Sequence, residues 1–194
     1  LSLYGDADRT IQRSGVTYQS LRLADAAALT TLTTTVLEQV SSQVDAYCDR
    51  DFDVHEVTET RNGTGRYTFR LLNYPVIEID TLTADGVELV EGTDYVVSRA
   101  GIVERIGTTW REARRNIEIT YTYGYEIPPA AVVGIVEDAV ANALGNVARN
   151  VAAKGASSMS MDGYSVAYSE LSRVAMLAPE QLGILDRYRR IGGA

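Results

Sequence analysis

Apolar residues recur at spacings of three and four from Leu29 through Leu32, Val36, Val40 and Val44 to Tyr47. Such a stripe occupies one face of a helix, here about five turns long. Asp25 precedes it as a helix-starting residue. The β-branched run Thr30, Thr31, Thr33, Thr34 and Thr35 prefers strands, but the sustained period outweighs that local preference. Nearer the start, Asp6 is placed to cap a short helix running to Arg13, with Gly15 as its stop. Val16–Tyr18 reads as a short extended stretch.

From Phe52 to Tyr125 the period falls to two. Asn62-Gly63, Asp85-Gly86 and Glu91-Gly92 are spaced like hairpin turns. Ile117, Ile119, Tyr121, Tyr123 and Tyr125 alternate with Glu118, Thr120, Thr122 and Gly124, which predicts a strand with one apolar-aromatic face. Ile77–Ile79, Val87–Leu89 and Tyr95–Val97 are further strand candidates, and a single antiparallel meander of five or six strands is expected. Pro128-Pro129 then opens a second long helix, since proline suits the first helical turn. Its stripe is Ile135, Val136, Ala139, Val140, Ala143, Leu144, Val147 and Val151, and the alanines predict close contact with another helix. Gly155–Ser158 is expected to break it, Ser165–Ser169 to form a short strand, and Pro179 to open a last helix bearing Leu182, Leu185 and Tyr188.

These elements predict an α+β fold: a helical bundle body from residues 1–50 and 126–194, with an antiparallel β-meander subdomain, 51–125, inserted between its helices. The length of 194 residues fits one domain with such an insertion. No apolar run is expected to reach the ~20 residues that span a bilayer, so no membrane partner is expected. The N-terminus lacks a basic region followed by an apolar stretch, which predicts no signal peptide.

The net charge of −8 is carried mainly by residues 51–125, with thirteen acids against eight bases. An acidic chain disfavours sequence-specific nucleic-acid binding, because few phosphates are neutralised. Seventeen of the eighteen basic residues are Arg, leaving Lys154 as the single Lys. That bias fits either a salt-adapted surface or a GC-rich coding sequence, so the host stays open.

Candidate chemistry is sparse. Cys48 ends the first long helix and reads as a buried structural thiol, because a helix C-terminus raises a thiol pKa. His55 is the single histidine and lacks companion ligands for a metal. Asp49, Asp51 and Asp53 cluster without the order of a calcium loop and read as a solvated helix-to-strand junction. Gly63-Thr64-Gly65 lacks the lysine and context of a phosphate loop and reads as a hairpin turn. No catalytic, cofactor-binding or metal-binding residues are assigned, and no enzyme is expected. Two other readings stand beside this: a small-molecule or carbohydrate-binding module on the tyrosine-rich β subdomain, and a hydrolase using Asp51 with Asp53 or Glu56 with Glu59.

What remains is surface. Twelve tyrosines against two phenylalanines suit either partner interfaces or a sheet face packed on the chain's own helices. After Asp186 come three arginines and no acidic side chain, on an otherwise acidic protein. Arginine beside an aromatic suits an acidic groove on a protein partner, or simply the negative end of a helix dipole.

Several segments together resemble the head–tail connector (adaptor) proteins of long-tailed double-stranded DNA viruses. They are Val44–Phe52, Leu72–Val76 with Ile77 and Ile79, Asp94-Tyr95, Trp110, Ile119–Tyr125 leading into Ile127-Pro128, Asp162–Val166 and Leu185–Arg190. The resemblance implies a structural virion protein of the neck, assembled in the host cytoplasm. It implies a ring of usually twelve copies between the portal and a stopper or tail-completion protein, with double-stranded DNA passing through. It also maps portal docking onto Arg187, Tyr188, Arg189, Arg190 and Ile191. Residues 1–20 match least and their role stays open. Two further expectations follow: acids such as Glu137, Asp138 and Asp162 line the channel and repel phosphates, and residues 155–165 order only on assembly.

Overall fold

The computed structural model describes residues 3–154, Leu171 and 177–189. The expected break at Gly155–Ser158, the strand Ser165–Ser169, the segment 155–165 and the site residues Arg190 and Ile191 lie outside them. Among the described residues, contacts divide the chain into two compact units, a helical one up to Asp51 and from Pro128 onward, and a β one over Phe52–Ile127. Helices and antiparallel strands are both present, so the fold class is α+β.

In the helical unit, helix α1 (Ala7–Ser14) starts at Asp6, whose carboxylate accepts the Arg9 N–H at 2.8 Å. It ends at Gly15 in the left-handed region (φ 65°), which glycine enters without a Cβ clash. Val16–Tyr18 forms no strand and leads into a 3-10 turn at Gln19–Leu21. Helix α2 (Ala26–Cys48) is capped by Asp25 through the Ala28 N–H at 2.8 Å. Its threonines fit the helix because their hydroxyls turn back to the preceding turn: Thr33 donates to the Leu29 carbonyl at 2.8 Å, and Thr34 to Thr30 at 3.0 Å. Leu29, Leu32, Val36, Val40 and Val44 are buried as their spacing predicts.

Helix α3 (Ala130–Lys154) buries Val136, Val140, Ala143, Leu144 and Val147 and packs against both α1 and α2. Its span Ala130–Ala153 is long and apolar enough to cross a membrane by length and composition, which corrects the expectation that no such segment exists. The stripe is instead covered by neighbouring helices, and the span carries two acids, Glu137 and Asp138. Helix α4 (Pro179–Leu185) opens on its proline and continues into a 3-10 turn, Asp186–Tyr188.

The β unit departs from the expected single meander. It holds a four-stranded sheet of order β1-β7-β3-β4 and a three-stranded sheet of order β2-β6-β5. The strands are β1 (His55–Gly63), β2 (Thr68–Arg70), β3 (Val76–Ala84), β4 (Val87–Glu88), β5 (Tyr95–Val97), β6 (Ile102–Arg105) and β7 (Ala113–Tyr123). The longest strand, β7, lies between β1 and β3, antiparallel to both. Its buried face, Ile117, Ile119 and Tyr121, joins Val103, Tyr95, Trp110 and Leu82 in one core fed by both sheets. Tyr121 of that face therefore packs against other strands, where packing on the chain's own helices was one of the two readings of the tyrosines.

Of the three expected turns, Asp85-Gly86 closes the β3–β4 hairpin, with both residues at positive φ. Asn62-Gly63 instead lies inside β1, at an irregularity opposite Ala113. A Cβ on Gly63 would fall 1.8 Å from the Arg111 carbonyl oxygen, so glycine serves close backbone approach there. Thr64–Tyr67 accordingly links two sheets and forms no hairpin. Glu91-Gly92 likewise connects β4 to a strand of the other sheet. Strand β7 stops at Tyr123, two residues short of expectation, where Gly124 turns out of the extended region (φ 115°) and lies against the Asp53 backbone, too close for any side chain.

Candidate functional site

The C-terminal segment is built onto the end of α2. Pro179 has no N–H to leave unsatisfied at the first helical position. The Gln181 side chain accepts from the Ala178 N–H at 2.8 Å and donates to the Ile135 carbonyl of α3 at 3.4 Å. Leu185 is buried, and its carbonyl lies 3.9 Å from the Cys48 sulfur. Beyond it, the Tyr47 hydroxyl donates to Asp186 Oδ1 at 2.7 Å. The Arg189 guanidinium sits 5.3 Å from the centre of the Tyr47 ring and 3.8 Å from the same carboxylate oxygen. The hydrogen bond to Asp186, with burial adding to it, holds the Tyr47 phenol above its ordinary pKa.

Of the predicted docking residues, Arg187 is exposed and Tyr188 half-buried, while Arg189 is exposed but engaged as above. Sequence reading placed Tyr47 in the helix stripe and missed its partnership with Asp186. An aromatic at the last turn of a long helix and an acid preceding an arginine run were the available signals, and neither names the other. Cys48 is fully buried, and burial, with Asp45 and Asp186 adding to it, pushes its thiol up to about 11.

The acids expected to line a channel are placed differently. Glu137 is buried: its Oε1 accepts the Asp6 N–H at 3.1 Å, and its carboxylate lies 3.4 Å from Arg9 and 3.5 Å from Arg13. It straps α1 onto α3 and presents no charge to a lumen, so that assignment is corrected. Asp138 is exposed and pairs with Arg13 at 2.6 Å. Asp162 lies outside the described residues. Tyr4 completes the N-terminal attachment, its N–H donating to Ser41 Oγ at 3.0 Å and its hydroxyl to Asp45 at 2.7 Å.

In the β unit, the proposed carboxylate pair Glu56 and Glu59 falls on opposite faces of β1, one exposed and one buried. Glu59 is committed to structure, accepting from the Tyr121 hydroxyl and from the Leu72 N–H at 3.2 Å. No group of three or more His, Cys, Asp or Glu is placed to hold a metal among the described residues. The half-buried His55 ring packs 5.6 Å from Tyr123. A groove of about 610 Å³ opens beside Val76, Ile77, Arg99, Tyr125 and Ile127. Among the described residues Tyr125 is the one tyrosine lining it, whereas a ligand module on the tyrosines would gather several.

No curated protein matches the chain at a significant level. Solved structures do. A chain from the neck of an empty gene transfer agent particle, computed with C6 symmetry, aligns at a TM-score of 0.51 and 12% identity, covering 97% of this chain and 90% of that one. A chain of a native particle's virion aligns at 0.42 and 14% identity, covering 100% and 95%. At such identities the first of these likenesses speaks to fold alone. The model of the head completion protein family matches residues 17–191, from the 3-10 turn before α2 to the C-terminal segment. This agrees with the resemblance to viral head–tail connectors, and the chain belongs to the head completion protein family.

Proposed function

We propose that this protein is a structural, non-enzymatic component of the neck of a tailed virus or a phage-like particle. Copies form a ring, twelve as in the connectors it resembles, between the portal and a stopper or tail-completion protein, and double-stranded DNA passes through. The family match over residues 17–191 carries this reading. The likeness to a chain from a gene transfer agent neck is consistent with it.

The docking element in this reading is Arg187 to Ile191. Asp186 and Leu185 are fastened to α2, so the arginines beyond leave from an anchored base. Anchoring lowers the entropy lost when such a segment docks on a partner. The test is imaging of the full chain mixed with the portal encoded alongside it, in parallel with a chain ending at Asp186. A ring added to the portal by the full chain, and missing with the truncated one, is expected. A full chain that never joins the portal overturns the neck reading; a truncated chain that still joins overturns the docking assignment alone.

A further inference from the structure

The two sheets of the β unit turn their apolar faces inward to one core, so their other faces point in opposite directions. These outer faces carry unlike charge. On the four-stranded sheet, register places Glu56 beside Thr122 and Glu78, and Glu118 beside Thr83 and Glu88. Asp80 reaches Thr122 at 3.4 Å and so shares that face. These positions are exposed carboxylates with threonines between them. On the three-stranded sheet, Phe69, Val103 and Val97 form the inner row, which leaves Arg70 beside Ile102 and Thr68 beside Glu104 and Val96 on the outside.

That second face combines two arginines, Arg66 and Arg70, and one exposed carboxylate, Glu104, with uncovered apolar surface, against five exposed carboxylates on the other. Ile102 and Val96 are 44% and 43% exposed. Arg66 and Arg70 border a groove with Ile102. Arg66 has no ion-pair partner among the described residues, and Arg70 stacks on Tyr74 at 4.8 Å. A head-to-tail contact needs two different, complementary patches on one chain, whereas a two-fold contact needs one patch that complements itself. Opposite faces of opposite charge meet the first requirement.

We propose that the outer face of the three-stranded sheet, through Arg66, Arg70, Ile102 and Val96, docks on the carboxylate face of the four-stranded sheet of a second copy. This rests on the ring reading above and names its lateral contact. Ile102 and Val96 supply the desolvated centre, and the arginines select the acidic neighbour.

The test compares three full-length variants with the wild type, counting copies per assembly by native mass spectrometry in solution and on the portal. Arg66→Glu with Arg70→Glu sets acids against acids, and Glu78→Arg with Glu118→Arg sets arginines against arginines. Each is expected to weaken self-association about a hundredfold. The fourfold variant carrying all four changes restores complementarity and is expected to assemble again, which a variant that merely misfolds would not do. Assembly of both double variants at wild-type strength overturns this contact and leaves the ring standing. Failure of the fourfold variant to recover also overturns it. If the arginine variant assembles normally but loses binding of a labelled DNA duplex, the face meets DNA instead of a second copy. A wild-type chain that stays monomeric even with the portal overturns the ring reading and this contact together.

Discussion

The Tyr47 hydroxyl donates to Asp186 at 2.7 Å across 139 positions of sequence. This bond fastens the turn before the arginine run to the last turn of α2. Its loss should free the tail without unfolding the body, because both groups are solvent-accessible. Tyr47→Phe is expected to leave the urea midpoint nearly unchanged while speeding tryptic cleavage at Arg187 and Arg189. Equal cleavage rates in the two proteins would show that the tail is held by something else.

Glu137 is the buried carboxylate that holds α1, through the Asp6 N–H and the guanidiniums of Arg9 and Arg13. Glu137→Leu removes all three contacts and leaves the Asp6 N–H without an acceptor. A cost of about 1–3 kcal/mol in urea denaturation is expected. Glu137→Gln keeps that acceptor and should cost less. Gly5→Ala should act on the same joint, since its φ is 131° and a Cβ would lie 2.9 Å from Glu137 Cγ.

Gly63 admits no side chain, because the Arg111 carbonyl occupies the space. Gly63→Ala is expected to cost at least about 2 kcal/mol, by forcing the end of β1 away from the backbone that leads into β7. Gly86→Ala is the contrast: nothing lies within 4 Å of its added Cβ, so backbone strain at φ 79° is its main cost. Urea denaturation followed by Trp110 fluorescence, a reporter inside the β core, should rank Gly63→Ala as the more damaging change.

Tyr121 donates to buried Glu59 and receives the Asn73 N–H at 3.2 Å. Burial, then Glu59, pushes its phenol well above the ordinary range. Tyr121→Phe should destabilise by about 1–3 kcal/mol, as Glu59 loses one of its donors and the Asn73 N–H its acceptor. A melting temperature unchanged from wild type would contradict this account.

Cys48 sets an alkaline limit. Its folded pKa is raised, from 9.0 to about 11, so the folded state holds the proton longer than the unfolded one. Its contribution to stability is fully present below about pH 9 and is lost as pH climbs through about 11. Cys48→Ala should flatten the decline in stability over that window. In the native protein the thiol should react with a disulfide reagent only at the rate of unfolding.

Much of the local structure was legible in the residues. Asp6, Asp25 and Pro179 mark helix starts because a cap acts on the adjacent turn, and the Leu29–Val44 stripe marks a buried face because helical period is local. Asp85-Gly86 encodes its hairpin for the same reason, and the quoted segments already pointed to the viral connectors. The neighbours of each strand were not legible. Whether β7 lies beside β3 alone or between β1 and β3 depends on which apolar face finds cover, and that is decided by the whole core.

The sequence by itself determined the helices, their caps, the period-two region and the family. Tertiary structure alone decided that Asn62-Gly63 closes a strand with no hairpin after it, that Glu137 turns inward to α1, and that Tyr47 meets Asp186. It alone also set an arginine face and a carboxylate face on opposite sides of one core. Capping and periodicity act over a few residues and leave their marks in order along the chain. Long-range pairs cost loop-closure entropy and form only when the packed whole repays it, so no short segment records them.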